Sequence, residues 1–260
     1  MMILVSCALF TSCRKVIDLD LGENQPRYVI EGIITNETGS AKVILSQSRN
    51  FNEDNQFLGI SGALVVIKDN GVAYTLSETA PGIYQNSQLT GTTGHLYELS
   101  VHINGEQFSA SGRMPVQVLL DTLLIESGPF GRFKFPTIAY TDPAGEDNGY
   151  RFVQYLDGVK DPAIFWNDDE FTDGLQEVLQ LDSGIDREDD PRNIKTGDEV
   201  KIELHSINDD MLRYWYSLRN GGAAGQGNIV APANPVSNII GGALGYFSVH
   251  SVSSMTVIAP

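Results

Sequence analysis

The sequence predicts an all-β fold with two β-sandwich-like domains, the first of them immunoglobulin-like, and one amphipathic helix in the second. Only 19% of the 260 residues are charged and 42% are hydrophobic, which is enough to bury a sizeable core. The chain also has 26 glycines, a composition that suits tight turns between strands better than long surface helices. Short runs rich in β-branched and aromatic residues recur along most of the chain, as expected for many short strands.

The region 27–115 carries the runs that predict the immunoglobulin-like sandwich. It holds roughly seven short strands, a density typical of such a domain. Asn70-Gly71 joins two of them and Asn104-Gly105 joins two more; both dipeptides tolerate the positive φ of a two-residue hairpin turn. The clearest runs are 28–34, 42–45, 63–67, 72–76, 96–103 and 107–110.

The region 116–260 is predicted to form the second domain. Pro115 interrupts the patterning and an apolar run restarts at Val118, which places the boundary within 112–121. Asp157-Gly158 predicts a third two-residue hairpin. The predicted strands of this region are 133–140, 150–156, 163–166, 199–205, 245–249 and 255–258.

The last segment, 238–258, is predicted to be structural and to supply closing strands of the second domain. Its glycines Gly241, Gly242 and Gly245 are interpreted as bulges or close backbone approaches, where a side chain would not fit. The segment is therefore not expected to form a ligand site.

One segment after residue 205 predicts the amphipathic helix. Ser206 followed by Asp209 fits the spacing of a capping box, and Gly221 follows the last turn as a C-cap. Segment 214–216 is Tyr-Trp-Tyr, a composition shared with sugar-stacking platforms, but aromatic residues at helical spacing against a sheet are usually core. Core is the prediction here. The residues expected on the apolar face are Met211, Leu212, Trp215 and Leu218.

Residues 1–12 have the features of an export signal peptide, and Cys13 is predicted to be the lipidated first residue of the mature protein. Both cysteines lie in this leader region, where segment 2–10 is apolar but too short to span a bilayer. Cys7 is the alternative site, with too few residues before it. The missing basic start of the signal indicates that translation begins upstream of Met1. Residues 13–26 are then a polar tether.

The negative charge is uneven. Most of the formal charge of −16 falls between Asp142 and Asp210, which argues against a nucleic-acid partner because phosphate binding needs a basic surface. Solvated loops are the simplest interpretation of this acidic stretch. A loose calcium site stays open as an alternative. It would use Asp168, Asp169 and Asp173, or Asp186, Glu188, Asp189 and Asp190.

No motif in the chain predicts catalysis, a metal centre or a cofactor. The histidines His95, His102, His205 and His250 lack metal-ligand spacing and are predicted to be structural. A nucleophile elbow, an HExxH helix and a phosphate-binding glycine loop are all missing from the sequence. The chain is therefore predicted to be non-enzymatic. A carboxylate pair for glycoside hydrolysis stays open, because the separation of two acids depends on the fold.

The order of several short motifs resembles the Bacteroidetes lipoprotein family known as domain of unknown function 4249. The resemblance rests on residues 13–21, 30–32, 63–71, 81–84, 94–97 and 235–248, and above all on the closing Ser-Asn-Ile-x-Gly-Gly-Ala-Leu-Gly-Tyr-Phe at 237–247. It implies an outer-membrane lipoprotein, often encoded beside TonB-dependent receptors. It carries over no catalytic residue.

Three functions compete on these grounds. The favoured hypothesis is a non-catalytic binding or accessory lipoprotein of the outer membrane that works beside a TonB-dependent receptor. A glycan-active or peptide-active surface enzyme is the second, and a structural or adhesive surface protein is the third. The sequence names neither the ligand nor the face of the membrane.

Overall fold

The all-β class is confirmed by a computed structural model that describes residues 26–49, 57–128, 131–146, 148–170, 172–221 and 234–260. The leader, Cys13 and nearly all of the predicted tether lie outside these residues. Within them the elements are β1 (Tyr28–Thr35), β2 (Ala41–Gln47), β3 (Leu64–Asp69), β4 (Val72–Ala80), β5 (Ile83–Asn86), β6 (Leu96–Ile103), β7 (Glu106–Arg113), β8 (Leu120–Ser127), β9 (Lys134–Thr141), β10 (Gly149–Leu156), β11 (Val159–Lys160), β12 (Phe165–Asp168), β13 (Gln176–Gln180), β14 (Glu199–Ile207), α1 (Asp209–Gly221) and β15 (Leu244–Ile258).

The three predicted hairpins are confirmed at their turn residues. Asn70, Asn104 and Asp157 have φ of 44°, 50° and 48°, and a glycine with positive φ follows each of them. These turns connect β3 to β4, β6 to β7 and β10 to β11. Local turn chemistry was sufficient to predict them because a two-residue hairpin requires this backbone conformation.

The first core lies between two layers of one curled sheet. The strands run in the order β15-β1-β2-β5-β4-β3-β6-β7. Strand β4 belongs to both layers, because Val72–Leu76 pair with β3 and Ser77–Ala80 pair with β5, with a register shift between Glu78 and Ala80. Side chains from both layers, such as Ile30 and Leu99, are buried in a single hydrophobic cluster. This arrangement is the predicted sandwich.

The second core lies between a four-stranded part of the large sheet, in the order β11-β10-β14-β15, and a separate sheet β13-β9-β8. Strand β12 also pairs with β10. Alternate residues of β10 and β14, including Tyr150, Phe152 and Ile202, point into this core with Leu123 and Ile138 from the small sheet. The remaining side chains of β10 and β14 point to the opposite face of the sheet, away from this core.

Strand β15 joins the two cores, and this differs from the predicted role of segment 238–258. Residues 244–250 pair in parallel with β1 and bury Phe247 and Val249 in the first core. Residues 251–258 pair with β14 in the second core. The alternation of apolar and polar residues predicts a strand in this segment. It does not predict the partner strands β1 and β14, because pairing between separate segments is not encoded in a local pattern. The division of the body into domains 27–115 and 116–260 stays a prediction.

Helix α1 is confirmed, but its predicted N-cap is wrong. The side-chain oxygen of Asn208 accepts a hydrogen bond from the Met211 backbone N–H at 3.2 Å, as an N-cap does. Ser206 instead lies in β14, where its hydroxyl accepts a bond from the backbone of Val118. The helix buries Met211, Tyr214 and Trp215 against the face of the large sheet that points away from both cores.

No helix in the described part of the chain is long and apolar enough to cross a bilayer.

Candidate functional site

The outer face of the large sheet carries a row of side chains beside and beneath α1. Arg151 in β10 lies directly opposite Trp166 in β12 and opposite His205 in β14. Residues opposite one another in antiparallel strands project on the same face. Trp166, Arg151 and His205 therefore stand side by side, and α1 packs over this part of the sheet.

Arg151 makes an unusual contact at the centre of this row. Its guanidinium carbon lies 3.5 Å from the centre of the Trp215 ring, so a side chain of α1 covers it. Its Nε atom is buried without a hydrogen-bond partner among the described residues. Burial lowers the pKa of Arg151, and the nearby Tyr246, Tyr155 and Glu203 oppose this shift. The guanidinium nevertheless stays charged at neutral pH because its ordinary pKa is so high.

Glu203 in β14 is the hub of a hydrogen-bond network next to Arg151. Its carboxylate accepts bonds from Lys201 at 2.8 Å, from His205 at 3.1 Å and from the Tyr155 hydroxyl at 3.2 Å. Burial raises the pKa of Glu203, but the bonds from His205 and Lys201 outweigh that effect and lower the pKa to about 2. Burial and the charge of Glu203 raise the pKa of Tyr155 to about 12. Glu203 is thus a fixed anion at neutral pH.

Two buried histidines continue the network into the sheet. The rings of His205 and His250 stack with centroids 4.5 Å apart. Burial lowers the pKa of both, and the neighbouring Arg151 adds to the shift. Each ring keeps one polar contact, His205 with Glu203 and His250 with the Ser248 hydroxyl. Both are therefore neutral at pH 7.

An open groove between β12 and α1 exposes aromatic surface. Its volume is about 420 Å³ and its wall is mostly apolar. The Trp166 and Tyr216 rings meet edge to face there, with centroids 5.3 Å apart. Tyr216 is 53% exposed, whereas Tyr214 and Trp215 are buried. The groove is lined by Trp166, Asp168, Leu212, Arg213, Tyr216, Ser217 and Val236.

The prediction that the Tyr-Trp-Tyr segment belongs to the core therefore holds for two of its members and is wrong for Tyr216. Residues 214 and 215 face the sheet, and the helical turn then carries residue 216 onto the solvent side. Sequence reasoning missed Trp166 and Arg151 altogether. Trp166 and Arg151 are brought together by the pairing of β12 with β10, and the register of this pairing cannot be predicted from a local sequence pattern.

Three of the candidate calcium residues, Asp169, Asp173 and Asp190, form hydrogen bonds within loops. Asp173 accepts a bond from the Gly145 backbone at 2.6 Å, and Asp169 accepts one from the Asn148 backbone at 2.7 Å. Asp190 pairs with Arg192 at 2.7 Å, and this hydrogen bond lowers the pKa of Asp190 to about 2. Across the described ranges, no three acidic, histidine or cysteine side chains converge as a metal site would require.

Comparison with known proteins settles the family. Residues 14–256 match the model of the family described as domain of unknown function, DUF4249. The chain belongs to this family. No curated protein matches the sequence of this DUF4249 member. A crystal structure of a proposed carbohydrate-binding protein from Bacteroides uniformis covers 89% of this chain and 98% of its own, at 10% identity and a TM-score of 0.27. Similarity this low carries no argument about the fold or ligand of the DUF4249 chain.

Proposed function

We propose that this DUF4249 chain is a non-catalytic binding protein that Cys13 anchors in the outer membrane, and that it serves as an accessory component beside a TonB-dependent receptor. The observation that carries the binding function is the groove at Trp166 and Tyr216. An apolar concave site that contains aromatic side chains and a few polar groups is typical of small-ligand binding.

The side chains of the groove favour a sugar ring as ligand. The apolar face of a pyranose packs against aromatic rings such as Tyr216 and Trp166, and its hydroxyl groups need donors and acceptors nearby. Asp168 supplies acceptors and Arg213 supplies donors at the same groove. Arg213 is 67% exposed at its side chain and is bound only weakly to Asp209 at 3.3 Å, so it can turn to a ligand.

The anchor and the partner are supported by the sequence. Cys13 follows an apolar leader and precedes a polar tether that ends where β1 begins. A tethered protein meets a membrane-embedded neighbour at a high effective concentration, so a weak contact with a receptor is sufficient.

The binding function is tested by titrating the full chain with xylohexaose, maltohexaose and cellohexaose in a calorimeter. We expect one of these glucans or xylans to bind, and the Tyr216→Ala and Trp166→Ala variants each to weaken that binding about tenfold, or about 1.4 kcal/mol. Val72→Ser is the matched control, because Val72 is 59% exposed in the first sandwich, far from the groove in sequence and in sheet order. It should bind as the parent does.

Two results would contradict the proposal. If Tyr216→Ala binds as tightly as the parent, the groove is not the site. If the oligosaccharide is shortened during incubation with the purified chain, the protein is a glycan-active enzyme and not a passive binder. Chromatography of the recovered sugar distinguishes these outcomes.

A further inference from the structure

Arg151 is a half-buried cation with a buried Nε atom, and it forms no ion pair with any acidic residue that the structure describes. In the part of the chain that the structure describes, no oxygen atom forms a hydrogen bond or ion pair with the guanidinium group of Arg151. The guanidinium group instead forms a cation–π contact with the ring of Trp215. Buried charges in proteins are normally paired, since removing a charge from water costs several kcal/mol unless hydrogen bonds offset the loss. At Arg151 no hydrogen bond within the described residues offsets this loss of hydration.

The acidic residue Glu203, which lies within electrostatic range of Arg151, forms no hydrogen bond or ion pair with it. Glu203 already accepts bonds from Lys201, His205 and Tyr155. Turning its carboxylate towards Arg151 would break at least one of these bonds in a half-buried setting. Among the described residues, the guanidinium donors of Arg151 therefore have no partner.

Three further donor groups lie within electrostatic range of Arg151. The hydroxyl groups of Tyr214 and Tyr246 form no hydrogen bond with any described residue, and neither does the ammonium group of Lys160. All three lie within electrostatic range of Arg151, as does Glu203. Glu31 also faces Tyr214, Tyr246 and Lys160. The site therefore combines two cations and two phenols with an aromatic wall.

We propose that Arg151 binds the carboxylate group of a small ligand, with Trp215 holding the guanidinium plane in place. A stacked guanidinium keeps the fork of its N–H groups free, and this fork matches the two oxygens of a carboxylate. A singly charged group is favoured over phosphate, because Glu203 and Glu31 already place negative charge beside the site. This site is distinct from the groove, whose lining does not include Arg151, and it does not depend on the proposed sugar ligand.

Calorimetric titration of the full chain with two acids and their neutral counterparts tests the proposal. The acids are N-acetyl-L-phenylalanine, which represents a peptide C-terminus, and D-galacturonate, which represents an acidic sugar. Their counterparts are N-acetyl-L-phenylalanine amide and D-galactose. We expect one acid to bind at least about tenfold more tightly than its counterpart, and Arg151→Gln to abolish that difference. The acid that binds identifies the source of the carboxylate.

Two further variants sharpen the test. Arg151→Lys keeps the charge but loses the planar fork, so it should retain only part of the preference for the acid. Arg219→Gln removes an exposed cation from the last turn of α1 and should leave binding unchanged, which excludes a general charge effect. Equal binding of acid and counterpart by the parent chain would overturn the proposal, and so would tighter binding of inorganic phosphate than of either acid.

Thermal unfolding of Arg151→Gln separates a binding role from a structural one. If Arg151 is kept for a ligand, removing an unpaired buried charge should leave the midpoint unchanged or raise it. A clear fall in the midpoint, together with unchanged acid binding, would show that Arg151 holds α1 on the sheet through Trp215, and would overturn the proposal.

Discussion

At the scale of single residues, the outer face of the large sheet holds ionisable groups whose protonation depends on burial. Glu203 is held as an anion by its hydrogen bonds, whereas His205 and His250 are held neutral by their burial. Each of these pKa values differs from that of the unfolded chain, so each contributes to the pH dependence of stability. The two kinds of group act in different pH windows.

The sign of both contributions follows from the direction of the shift. The pKa of Glu203 falls from 4.5 to about 2 on folding, so its contribution is present above pH 4.5 and is lost as the pH falls towards 2. The histidine pKa values fall below 6.5 on folding. Their contribution is full above pH 6.5 and decreases below it, because the unfolded chain then binds protons that the folded chain excludes.

We therefore expect His250→Gln to flatten the pH dependence of stability just below pH 6.5. Each buried neutral histidine contributes up to about 1.4 kcal/mol per pH unit to the slope of the free energy of unfolding. Urea unfolding at pH 7.5, 6.5 and 5.5 measures this slope. His102→Gln is the control, because His102 is exposed on β6. If the slopes of both variants equal that of the parent, His250 does not titrate with folding.

At the scale of elements, strand β15 shows how close backbone packing limits the sequence. Gly245 lies beside Ile30 of β1, and an added Cβ atom would lie 2.1 Å from the Ile30 carbonyl oxygen. Gly241 approaches the Gln107 carbonyl oxygen in the same way, at 2.6 Å. The predicted close approaches are therefore confirmed at Gly241 and Gly245. At Gly242 the prediction is wrong, because an added Cβ atom there meets nothing within 4 Å.

This difference predicts unequal effects of two matched substitutions. Gly242 and Gly245 both have positive φ, of 89° and 94°, so Gly→Ala costs about 1 kcal/mol of backbone strain at either site. Gly245→Ala must also push β15 away from β1, and we expect an additional loss of about 2 kcal/mol or more. Urea unfolding of both variants measures the difference. Equal losses would mean that the β1–β15 pair yields without cost.

At the scale of the whole molecule, strand β15 connects the two hydrophobic cores. The large sheet extends through both cores, and α1 packs on it beside the place where β15 passes from one core to the other. Trp166 of the groove contacts Tyr216 of α1 and Arg151 contacts Trp215 of α1, so both candidate sites depend on the docking of this helix. The body begins with β1 at Tyr28, directly after the predicted tether.

We expect Cys13→Ser to move the protein from the outer-membrane fraction to the soluble fraction. The predicted lipid would be attached to the Cys13 thiol, so replacing this thiol removes the proposed anchor. Fractionation with mass spectrometry of the N-terminus checks the result. Cys7→Ser is the matched control and should stay in the membrane with acylated Cys13. The reverse behaviour of the two variants would move the anchor to Cys7.

The same variants test the partner. Affinity purification of the parent from gently solubilised outer membranes should recover a TonB-dependent receptor, and Cys13→Ser should lose it because the effective concentration falls. If neither the parent protein nor a crosslinked sample recovers a receptor, the accessory role is contradicted. That result would leave the predicted lipidation of Cys13 untouched.

The features that could be predicted from the sequence are those that local chemistry controls. Alternating apolar residues gave most strands, the dipeptides at Asn70, Asn104 and Asp157 gave three hairpins, and helical spacing gave α1. The ordered glycines near the end of the chain pointed to the family that residues 14–256 match. In each case the signal lies within a few residues, where turn geometry and side-chain period decide the conformation.

Only the tertiary structure decided which strands pair and which side chains meet. The parallel pairing of β1 with β15 joins residues more than 200 positions apart, and Asn208 rather than Ser206 caps α1 because β14 extends through Ser206. Arg151 meets Trp215, and Trp166 meets Tyr216, only when α1 docks on the sheet. The physical reason is that period and propensity specify an element and its apolar face, whereas packing between distant elements selects its partners.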